Sequence, residues 1–450
     1  MFTGDGQSPL FTLKIKENRL KYSKYNVILE EGCDRWLWNT LSGHVVRLDD
    51  TAYSFVKRFS PGEPFPDESI YRDICIRDGF IVSDGTDETG DILSGYERDL
   101  LGVGTDEIRL TIAPGMGCNY NCGYCFENGR RNGKKMSNEM IRTIIDRIRG
   151  KLERDSSVKK LMLTWFGGEP LLYKDVIGEL SETLIKTCTD HGVLYRSGII
   201  TNGRFLDRET ASLLREHCVT KAQISMDGTQ ENYCPAKGAD ENDYHAVVSN
   251  IMDTCGIIDI TVRINIADHD VKKAVRLAEH LLLDMALDGR IKVYPAFVRD
   301  LTGNSGSEKA SYRKYLAMER SFRALFDDMT FRRESLAVQP AVRISSPCSQ
   351  ICASSLLIGP EGELYPCEHL FGDDAGIIGH ISDRELFTPK GYDAALPKRE
   401  CAECSFLPLC MGGCPRDSAE GHFCLDCDGL RKRLMELKTE EIRKSERNSH

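Results

Sequence analysis

The 450-residue sequence lacks the features that would place a protein in a membrane or on a nucleic acid. It contains no apolar run that approaches the roughly 20 residues needed to span a bilayer. Its first residues show neither the basic segment nor the apolar segment of a signal peptide, which predicts a cytoplasmic protein. The formal net charge of −10 argues against a dedicated nucleic-acid binder, because such a protein usually presents a basic face. We therefore expect partners that are neither membranes nor nucleic acids.

Cysteine, in contrast, is plentiful, and its 18 copies are unevenly placed. Three lie at Cys118, Cys122 and Cys125, and nine fall between Cys348 and Cys427. In a reducing compartment such clusters indicate metal ligands rather than disulfide bonds. We expect the six scattered cysteines to act as small buried hydrophobes. They are Cys33, Cys75, Cys188, Cys218, Cys234 and Cys255.

The first cysteine cluster has the spacing C-x3-C-x2-C and directly follows the apolar stretch 108–113. Three thiolates can ligate three irons of a [4Fe–4S] cluster, which leaves the remaining iron without a protein ligand. Such an iron offers an open coordination site to a substrate or a cofactor. Zinc normally takes four ligands in paired C-x2-C knuckles, and no fourth cysteine or histidine lies near the run. The ligand count therefore favours an open-site cluster over zinc or an electron-transfer cluster.

Between residues 107 and 300, short β-rich runs alternate with helical stretches. Six strands are predicted, over residues 108–113, 160–165, 196–201, 222–226, 260–266 and 291–297. Helices are predicted over residues 136–145, with Ser137 as the N-cap, 174–187, 207–217, 244–255 and 271–283. Repeated β–α units imply right-handed crossovers and a parallel sheet, either open or curled into a partial barrel. Loops at the carboxyl ends of these strands should carry the function, and the first cysteine cluster follows the first strand.

The segments that flank this alternation differ in character. Residues 1–100 predict hairpin strands and short helices, which suggests either a winged-helix-like module or a decorative cap. Residues 84–91 are acidic, contain glycine and are typical of a linker. Residues 301–344 predict a helical bridge, whereas residues 345–430 have little periodicity and much cysteine, so we expect metal to hold them. Residues 431–450 predict a charged, solvated helix.

A second motif ends the second predicted strand, where Gly167, Gly168 and Glu169 follow an aromatic pair. The two glycines allow backbone atoms to approach a ligand closely, and Glu169 offers a carboxylate that can accept from an ammonium group. As an isolated turn the sequence is ordinary. Placed one strand after the cysteine cluster, it suggests the other half of a pocket shaped for an amino acid.

Together the two motifs resemble the radical S-adenosylmethionine (SAM) superfamily, over nearly all of residues 107–300. The resemblance implies an α/β fold, a partial (β/α)6 TIM-like barrel, with a [4Fe–4S] cluster whose open iron is chelated by SAM. In relatives an Asp-Gly sequence at the end of the fourth strand is usually followed by a His-Asp pair and an Arg. Here the corresponding sequence is Asp227-Gly228, and residues 230–237 after it contain neither the pair nor the Arg. The implied contacts are Tyr124 for the adenine; Gly167, Gly168 and Glu169 for the methionine ammonium; Thr201, Asn202, Ser225 and Asp227 for the ribose; and Arg263 and Asn265 for the carboxylate.

The nine later cysteines resemble the SPASM domain, which in its relatives carries two auxiliary [4Fe–4S] clusters, although paired knuckles suit zinc as well. The resemblance implies a nearer cluster held by Cys348, Cys352, Cys367 and Cys414. The farther cluster would be held by Cys401, Cys404, Cys410 and either Cys424 or Cys427. Cys427 is favoured because it leads straight into the last predicted helix.

SPASM proteins mostly modify peptides or proteins, and two subclasses fit. Anaerobic sulfatase-maturating enzymes oxidise Cys or Ser to formylglycine and carry an Asp base directly after the cysteine equivalent to Cys367. This chain has Glu368 there, a candidate base whose extra methylene moves the carboxylate. Maturases of ribosomally made peptides, such as sactionine- and ranthipeptide-type enzymes, often begin with a winged-helix-like module that binds the precursor's leader by strand addition. The extension over residues 1–100 favours the peptide maturase.

The expected reaction is hydrogen abstraction from a ribosomal precursor peptide by a 5′-deoxyadenosyl radical, followed by formation of a Cys-derived thioether. Such a reaction needs a low-potential electron donor, for which a flavodoxin or a ferredoxin is expected. Two alternatives belong to a different class: a non-catalytic multi-cluster electron carrier and a zinc-stapled binding protein.

Overall fold

The computed structural model describes residues 19–448 except for ten internal segments. These segments are 61, 66–71, 131–132, 267–270, 299–315, 325–334, 337–340, 384–385, 388–398 and 417–426. Cys424 lies outside the described residues, as does most of the predicted bridge. Within the bridge, residues 316–324 are helical.

The N-terminal part forms two small antiparallel sheets and three helices. One sheet has the strand order β5-β1-β6 and the other the order β2-β3-β4. Their strands are β1 (Leu20–Tyr22), β2 (Asn26–Glu31), β3 (Asp34–Asn39), β4 (Val45–Arg47), β5 (Pro64–Phe65) and β6 (Ile81–Ser83). The helices are α1 (Asp50–Val56), α2 (Arg72–Arg77) and α3 (Glu88–Leu100).

The six predicted strands of the central region are all present and pair in parallel in the order β12-β11-β10-β9-β8-β7. They are β7 (Glu107–Ile112), β8 (Lys160–Trp165), β9 (Leu194–Thr201), β10 (Val219–Met226), β11 (Asp259–Ile266) and β12 (Lys292–Phe297). The helices between them are α4 (Asn138–Arg154), α5 (Lys174–Asp190), α6 (Arg208–Glu216), α7 (Gln230–Lys237), α8 (Glu241–Thr254) and α9 (Val271–Glu279), and a π-helical segment, His280–Asp284, continues α9. The α/β expectation is confirmed.

Local sequence explains most of these elements. Ser137 caps α4 by accepting a hydrogen bond from the amide of Met140, and the isoleucines of α4 recur on one buried face. Helix α7 was not predicted, because Pro235 interrupts its helical pattern. Within the described ranges, none of the helices is both long and apolar enough to cross a membrane.

The cysteine-rich segment extends the central sheet, which the lack of periodicity in its sequence did not indicate. Strand β13 (Ser355–Ile358) pairs in parallel with β7, and β14 (Glu363–Tyr365) and β15 (Gly379–His380) continue the sheet in antiparallel fashion. The amide of Ala113 donates to the carbonyl of Ile358 at 2.9 Å. Nine described strands thus form one sheet, with β15 at one edge and β12 at the other. Because these two edge strands do not pair, the sheet does not close on itself.

The final helix, Cys427–Asn448, is not simply solvated as its charge predicted. Its Leu434 and Leu437 are buried against Trp36 and Trp38 of β3, so an apolar stripe within a charged sequence docks the helix on the N-terminal part.

The predicted linker is also partly wrong, because its second half forms the first turn of α3. Asp87 caps that helix by accepting from the amide of Gly90. Tyr96 of α3 then packs in a cluster with Ile351 and Leu407 of the cysteine-rich segment. The N-terminal part therefore packs on the C-terminal part through two apolar clusters.

We expect β13 to stay paired with β7 when iron is removed, because its four residues are buried in the sheet. In hydrogen–deuterium exchange on chelator-treated protein, a peptide covering residues 355–365 should remain protected, as should the peptide covering β8, which serves as the control. Exchange of residues 355–365 at the rate of an unfolded chain, with β8 still protected, would show instead that metal holds this strand.

Candidate functional site

A cavity of about 490 Å³ lies at the carboxyl ends of the parallel strands. It brings together the three cysteines of the first cluster and most residues predicted to contact SAM. The predicted residues that line it are Cys118, Cys122, Cys125, Tyr124, Gly167, Gly168, Thr201, Asn202, Ser225, Arg263, Asn265 and Glu368. Glu169 and Asp227 do not line it and lie behind its wall.

The cysteine loop, residues 118–125, follows β7 and is held from two sides. Just before it, the amide of Gly117 donates to the hydroxyl of Tyr173 at 2.8 Å. Within it, the side-chain oxygen of Asn119 accepts a hydrogen bond from the side-chain amide of Asn202 at 2.8 Å. The loop then turns back, with the amide of Cys125 donating to the carbonyl of Cys122. The three thiols therefore face the cavity from a loop that the neighbouring strands fix.

The Gly-Gly turn, residues 166–169, packs directly on the chain before the cysteine loop. Gly167 has φ +104°, a conformation that side chains disfavour. A Cβ on Gly168 would lie 2.3 Å from the carbonyl oxygen of Gly117, and the amide of Glu169 donates to that same oxygen at 2.8 Å. Two glycines are thus required because two backbone segments touch here.

Glu169 is fully buried, and its carboxylate accepts three hydrogen bonds from the protein. The donors are the amide of Leu171 at 2.9 Å, the hydroxyl of Thr201 at 2.7 Å and the amide of Asn202 at 2.8 Å. Burial raises the pKa of this carboxyl, while the three hydrogen bonds act in the opposite direction. The carboxylate of Glu169 therefore braces the turn against the end of β9, and its contact with the methionine ammonium stays a prediction.

The polar wall of the cavity comes from β10 and β11. The side-chain amide of Asn265 donates to the hydroxyl of Tyr124 at 3.0 Å, which joins the cysteine loop to β11. Burial raises the pKa of Tyr124 far above its usual range, and the negative charge of Asp227 raises it further. Nε of Arg263 is buried and has no hydrogen-bond partner among the described residues, so this cation can still receive an acceptor from a ligand.

Glu368 reaches the same cavity from the cysteine-rich segment. Burial raises the pKa of its carboxyl, and the charge of Arg263 lowers it. Next to it, the ring of His369 packs edge-on against Phe126 with centroids 5.0 Å apart, and its Nδ1 lies 3.8 Å from Sγ of Cys367. The cavity therefore borders both the first cysteine cluster and the later cysteines.

Several lining residues were missed by sequence reasoning. Lys237 ends α7, and Tyr294 of β12 donates to the side chain of Gln223 of β10 at 2.9 Å. Phe126 and His369 each sit one or two residues from a cysteine that had been singled out. Proximity to those cysteines could have indicated Phe126 and His369, whereas no motif marked Lys237 or Tyr294.

The later cysteines fall into two groups, and the thiols within each group influence one another electrostatically. Burial raises the pKa of Cys348, and Cys414 and Cys352 raise it further. Burial likewise raises the pKa of Cys367 to about 11, with Cys348 adding to the rise.

In the second group, burial raises the pKa of Cys410 to about 11, and Cys404, Cys401 and Cys427 raise it further. The described cysteines of the second group belong to the farther ligand set implied by resemblance, and because Cys424 lies outside the described residues, the choice between Cys424 and Cys427 stays a prediction. In the described part of the chain, no three His, Cys, Asp or Glu side chains converge closely enough to hold a single metal ion.

The residues present suit an iron–sulfur cluster and SAM. The first group of cysteines places three thiols beside one cavity. Three thiols are the ligand set of a [4Fe–4S] cluster in which one iron has no protein ligand. The cavity also presents Arg263, a cation that suits a carboxylate and whose Nε has no hydrogen-bond partner among the described residues, and Tyr124, an aromatic face. The donor chemistry and the size of the cavity therefore fit both groups.

Comparison with known proteins agrees with this geometry. Residues 112–278 match the model of the radical SAM superfamily. A serine-type anaerobic sulfatase-maturating enzyme of Klebsiella aerogenes is 24% identical over 332 residues, which cover 67% of this chain and 78% of the relative.

Two solved structures share the fold. Native anSMEcpe with bound AdoMet has a TM-score of 0.57 at 19% identity, covering 76% of this chain and 100% of that one. Streptococcus suis SuiB bound to precursor peptide SuiA has a TM-score of 0.50 at 14% identity, covering 88% and 95% respectively.

Gly168→Ala should destabilise the protein by about 1–3 kcal/mol, because its Cβ would collide with a backbone oxygen that cannot move freely. It should also lower the iron bound by the cysteine loop, since the loop must shift. Gly256→Ala is the matched control, because nothing lies within 4 Å of its added Cβ. Thermal unfolding and iron analysis check both; equal behaviour of the two variants would contradict the packing argument.

Proposed function

We propose that this chain is a radical SAM maturase that modifies a ribosomally made precursor peptide, because residues 112–278 match the model of the radical SAM superfamily. Members of this superfamily are enzymes that use a [4Fe–4S] cluster and SAM. The observation that carries the proposal is one cavity shared by three cysteines, the Gly-Gly turn and Glu368. An enzyme that oxidises a bound chain needs its hydrogen-abstracting group and a proton acceptor side by side.

In this proposal Cys118, Cys122 and Cys125 hold the cluster. SAM bound in the cavity beside these three cysteines would supply radical chemistry that removes hydrogen from carbon. Arg263 would hold the carboxylate of SAM, since its buried Nε has no hydrogen-bond partner among the described residues. The packed aromatic wall of Phe126 and Phe166, with ring centroids 6.4 Å apart, excludes water from the reacting centre.

Glu368 is proposed as the proton acceptor on the substrate side. Burial raises the pKa of Glu368 and so favours its neutral form, while the charge of Arg263 acts in the opposite direction. A base in this position can take the proton that leaves when a substrate thiol or its neighbouring carbon is oxidised. Cys348, Cys352, Cys367 and Cys414 would hold an auxiliary cluster beside it, and Cys401, Cys404, Cys410 and Cys427 a second one.

The peptide partner is proposed from the N-terminal part of the chain. Residues 19–100 form small antiparallel sheets that pack through Trp36 and Trp38 on the C-terminal helix. A sheet with open edges can bind an extended leader by strand addition, which is the recognition mode of winged-helix-like modules. The leader would then be held on the same body as the cavity. A thioether from a substrate cysteine is the proposed product: the hydrogen atom of the C–H bond would go to the radical, the thiol proton to Glu368 and the remaining electron to an auxiliary cluster as the C–S bond forms.

A second candidate is a sulfatase maturase, which the Klebsiella aerogenes relative favours. Such an enzyme would use the same cavity but would convert Cys or Ser to formylglycine. The two candidates differ in product mass, so one experiment distinguishes them. An electron carrier is less well supported, because it needs no cavity beside its cluster.

Anaerobically reconstituted protein should bind about 12 iron atoms per chain, in three clusters, and should cleave SAM to 5′-deoxyadenosine when dithionite is added. The Cys118→Ala, Cys122→Ala, Cys125→Ala variant should keep about 8 iron atoms and lose SAM cleavage. Cys33→Ser is the control, since Cys33 is far along the chain from both cysteine groups and is exposed; the expectation that the six scattered cysteines are buried is confirmed only for Cys188 and is wrong for Cys33. Zinc in place of iron, or cleavage without the three cysteines, would refute the proposal.

Co-expression with a short cysteine-containing peptide encoded beside the gene should yield a product that has lost two hydrogens, as thioether formation requires. Mass spectrometry of the peptide gives the answer directly. Glu368→Gln should reduce this product about 100-fold while SAM cleavage continues, because only proton acceptance is removed. A mass change matching the conversion of cysteine to formylglycine would support the sulfatase maturase instead.

A further inference from the structure

Lys237 is a buried lysine in the cavity wall that no motif assigns to a role. Its side chain is 3% exposed, and that of Asp227, its ion-pair partner, is 6% exposed. Nζ of Lys237 lies 3.3 Å from Oδ2 of Asp227 and donates to the hydroxyl of Ser225 at 2.9 Å. A lysine is almost never buried to this degree unless it is paired. The two contacts therefore indicate that this lysine has a specific role in the cavity wall.

The same ammonium faces two aromatic rings. Nζ lies 6.0 Å from the ring centroid of Tyr124 and 5.9 Å from that of Tyr233. A cation at this distance from a ring face is attracted by the ring's quadrupole, most strongly where water is excluded. Tyr124 sits between Cys122 and Cys125, so the attraction acts on the cysteine loop itself.

Helix α7, which Lys237 ends, is also tied to the cysteine loop through its backbone and a second tyrosine. The amide of Asn121 donates to the carbonyl of Lys237 at 3.1 Å. The hydroxyl of Tyr233 donates to that of Tyr120 at 3.3 Å, and their rings meet edge-on. Tyr120 and Asn121 lie between Cys118 and Cys122. The helix therefore contacts the loop within both of its cysteine intervals.

We propose that Lys237 is a positioning residue: its ammonium neutralises Asp227 and, with it, fixes Tyr124 and the cysteine loop in the geometry that binds the cluster and SAM. Asp227 lies beside the Tyr124 hydroxyl, which Asn265 holds from the other strand. Without Lys237, a buried carboxylate would stand unpaired behind that tyrosine, a costly arrangement that is relieved by moving it. The proposal rests on the proposed function in taking the cysteine loop as the cluster site and the cavity as the SAM pocket.

The test compares Lys237→Met with Lys237→Arg, Asp227→Asn and the Lys237→Met, Asp227→Asn double variant. Iron at the cysteine loop and the electron paramagnetic resonance (EPR) spectrum of the reduced protein are recorded first, without SAM. Equilibrium binding of SAM follows. Lys237→Met should bind SAM at least about 10-fold more weakly and show an altered spectrum, as for residues that orient metal ligands.

Two further results are expected if Lys237 acts through Asp227. Lys237→Arg should restore most of the affinity, because it retains a cation for the carboxylate. The double variant should bind SAM no more weakly than Asp227→Asn alone, because the two changes remove one shared interaction. If Lys237→Met does not fold, the comparison of the double variant with Asp227→Asn still tests the proposal, because the double variant contains no buried unpaired charge.

Lys438→Met is the matched control. Lys438 is also buried, pairs with Glu441 at 2.9 Å and lies over an aromatic ring, that of Trp38 at 5.8 Å, but it is on the C-terminal helix. This variant should lower the melting temperature without changing SAM affinity or the spectrum.

Unchanged affinity and spectrum in Lys237→Met would overturn the proposal. So would independent, multiplying losses from the Lys237 and Asp227 changes. If the wild-type protein binds iron but no SAM, the proposed function fails, and the SAM-free spectrum of Lys237→Met still tests the positioning role.

Discussion

The cavity depends on the buried carboxylate of Glu169. This carboxylate accepts a hydrogen bond from a backbone amide of its own turn. It accepts two more from the end of β9, one from the hydroxyl of Thr201 and one from the backbone amide of Asn202. Asn202 in turn reaches Asn119 in the cysteine loop, and the amide of Glu169 holds Gly117 before that loop. One carboxylate thus joins the ends of two strands to the loop that carries the thiols. Because it is desolvated, losing any of its donors would leave a buried acceptor unsatisfied, a cost of about 1–3 kcal/mol.

Charge in the cavity is arranged in two layers. Lys237 and Asp227 balance each other behind the wall, whereas Arg263 and Glu368 influence each other across the open space. The first pair keeps the wall in place, and the second leaves a cation and an acid available to ligands. The cysteine-rich segment supplies Glu368 because β13 pairs with β7, which brings the later cysteines to the same end of the sheet. Substrate chemistry and cluster chemistry can therefore meet in one place.

Sequence reasoning predicted the six parallel strands, since each is a short β-rich run followed by a helix or a loop. It also predicted most lining residues, because the ends of parallel strands converge at one edge. It could not predict β13, because the four residues of this strand show no periodic pattern. It also could not predict the docking of the C-terminal helix, because Leu434 and Leu437 stand among many charged residues in the sequence. Lys237 was missed because its burial depends on α7, a helix interrupted by Pro235. The position of Glu169 behind the wall follows from hydrogen bonds to β9, which are long-range.

Electron–nuclear double resonance on the reduced protein, loaded with SAM labelled with ¹⁵N in the amino group and ¹⁷O in the carboxylate, tests the central claim most directly. A cluster held by Cys118, Cys122 and Cys125 with one open iron predicts hyperfine coupling from both labels. Absence of both couplings in protein that retains its full iron and binds SAM would contradict it, because SAM would then occupy the cavity without reaching the iron.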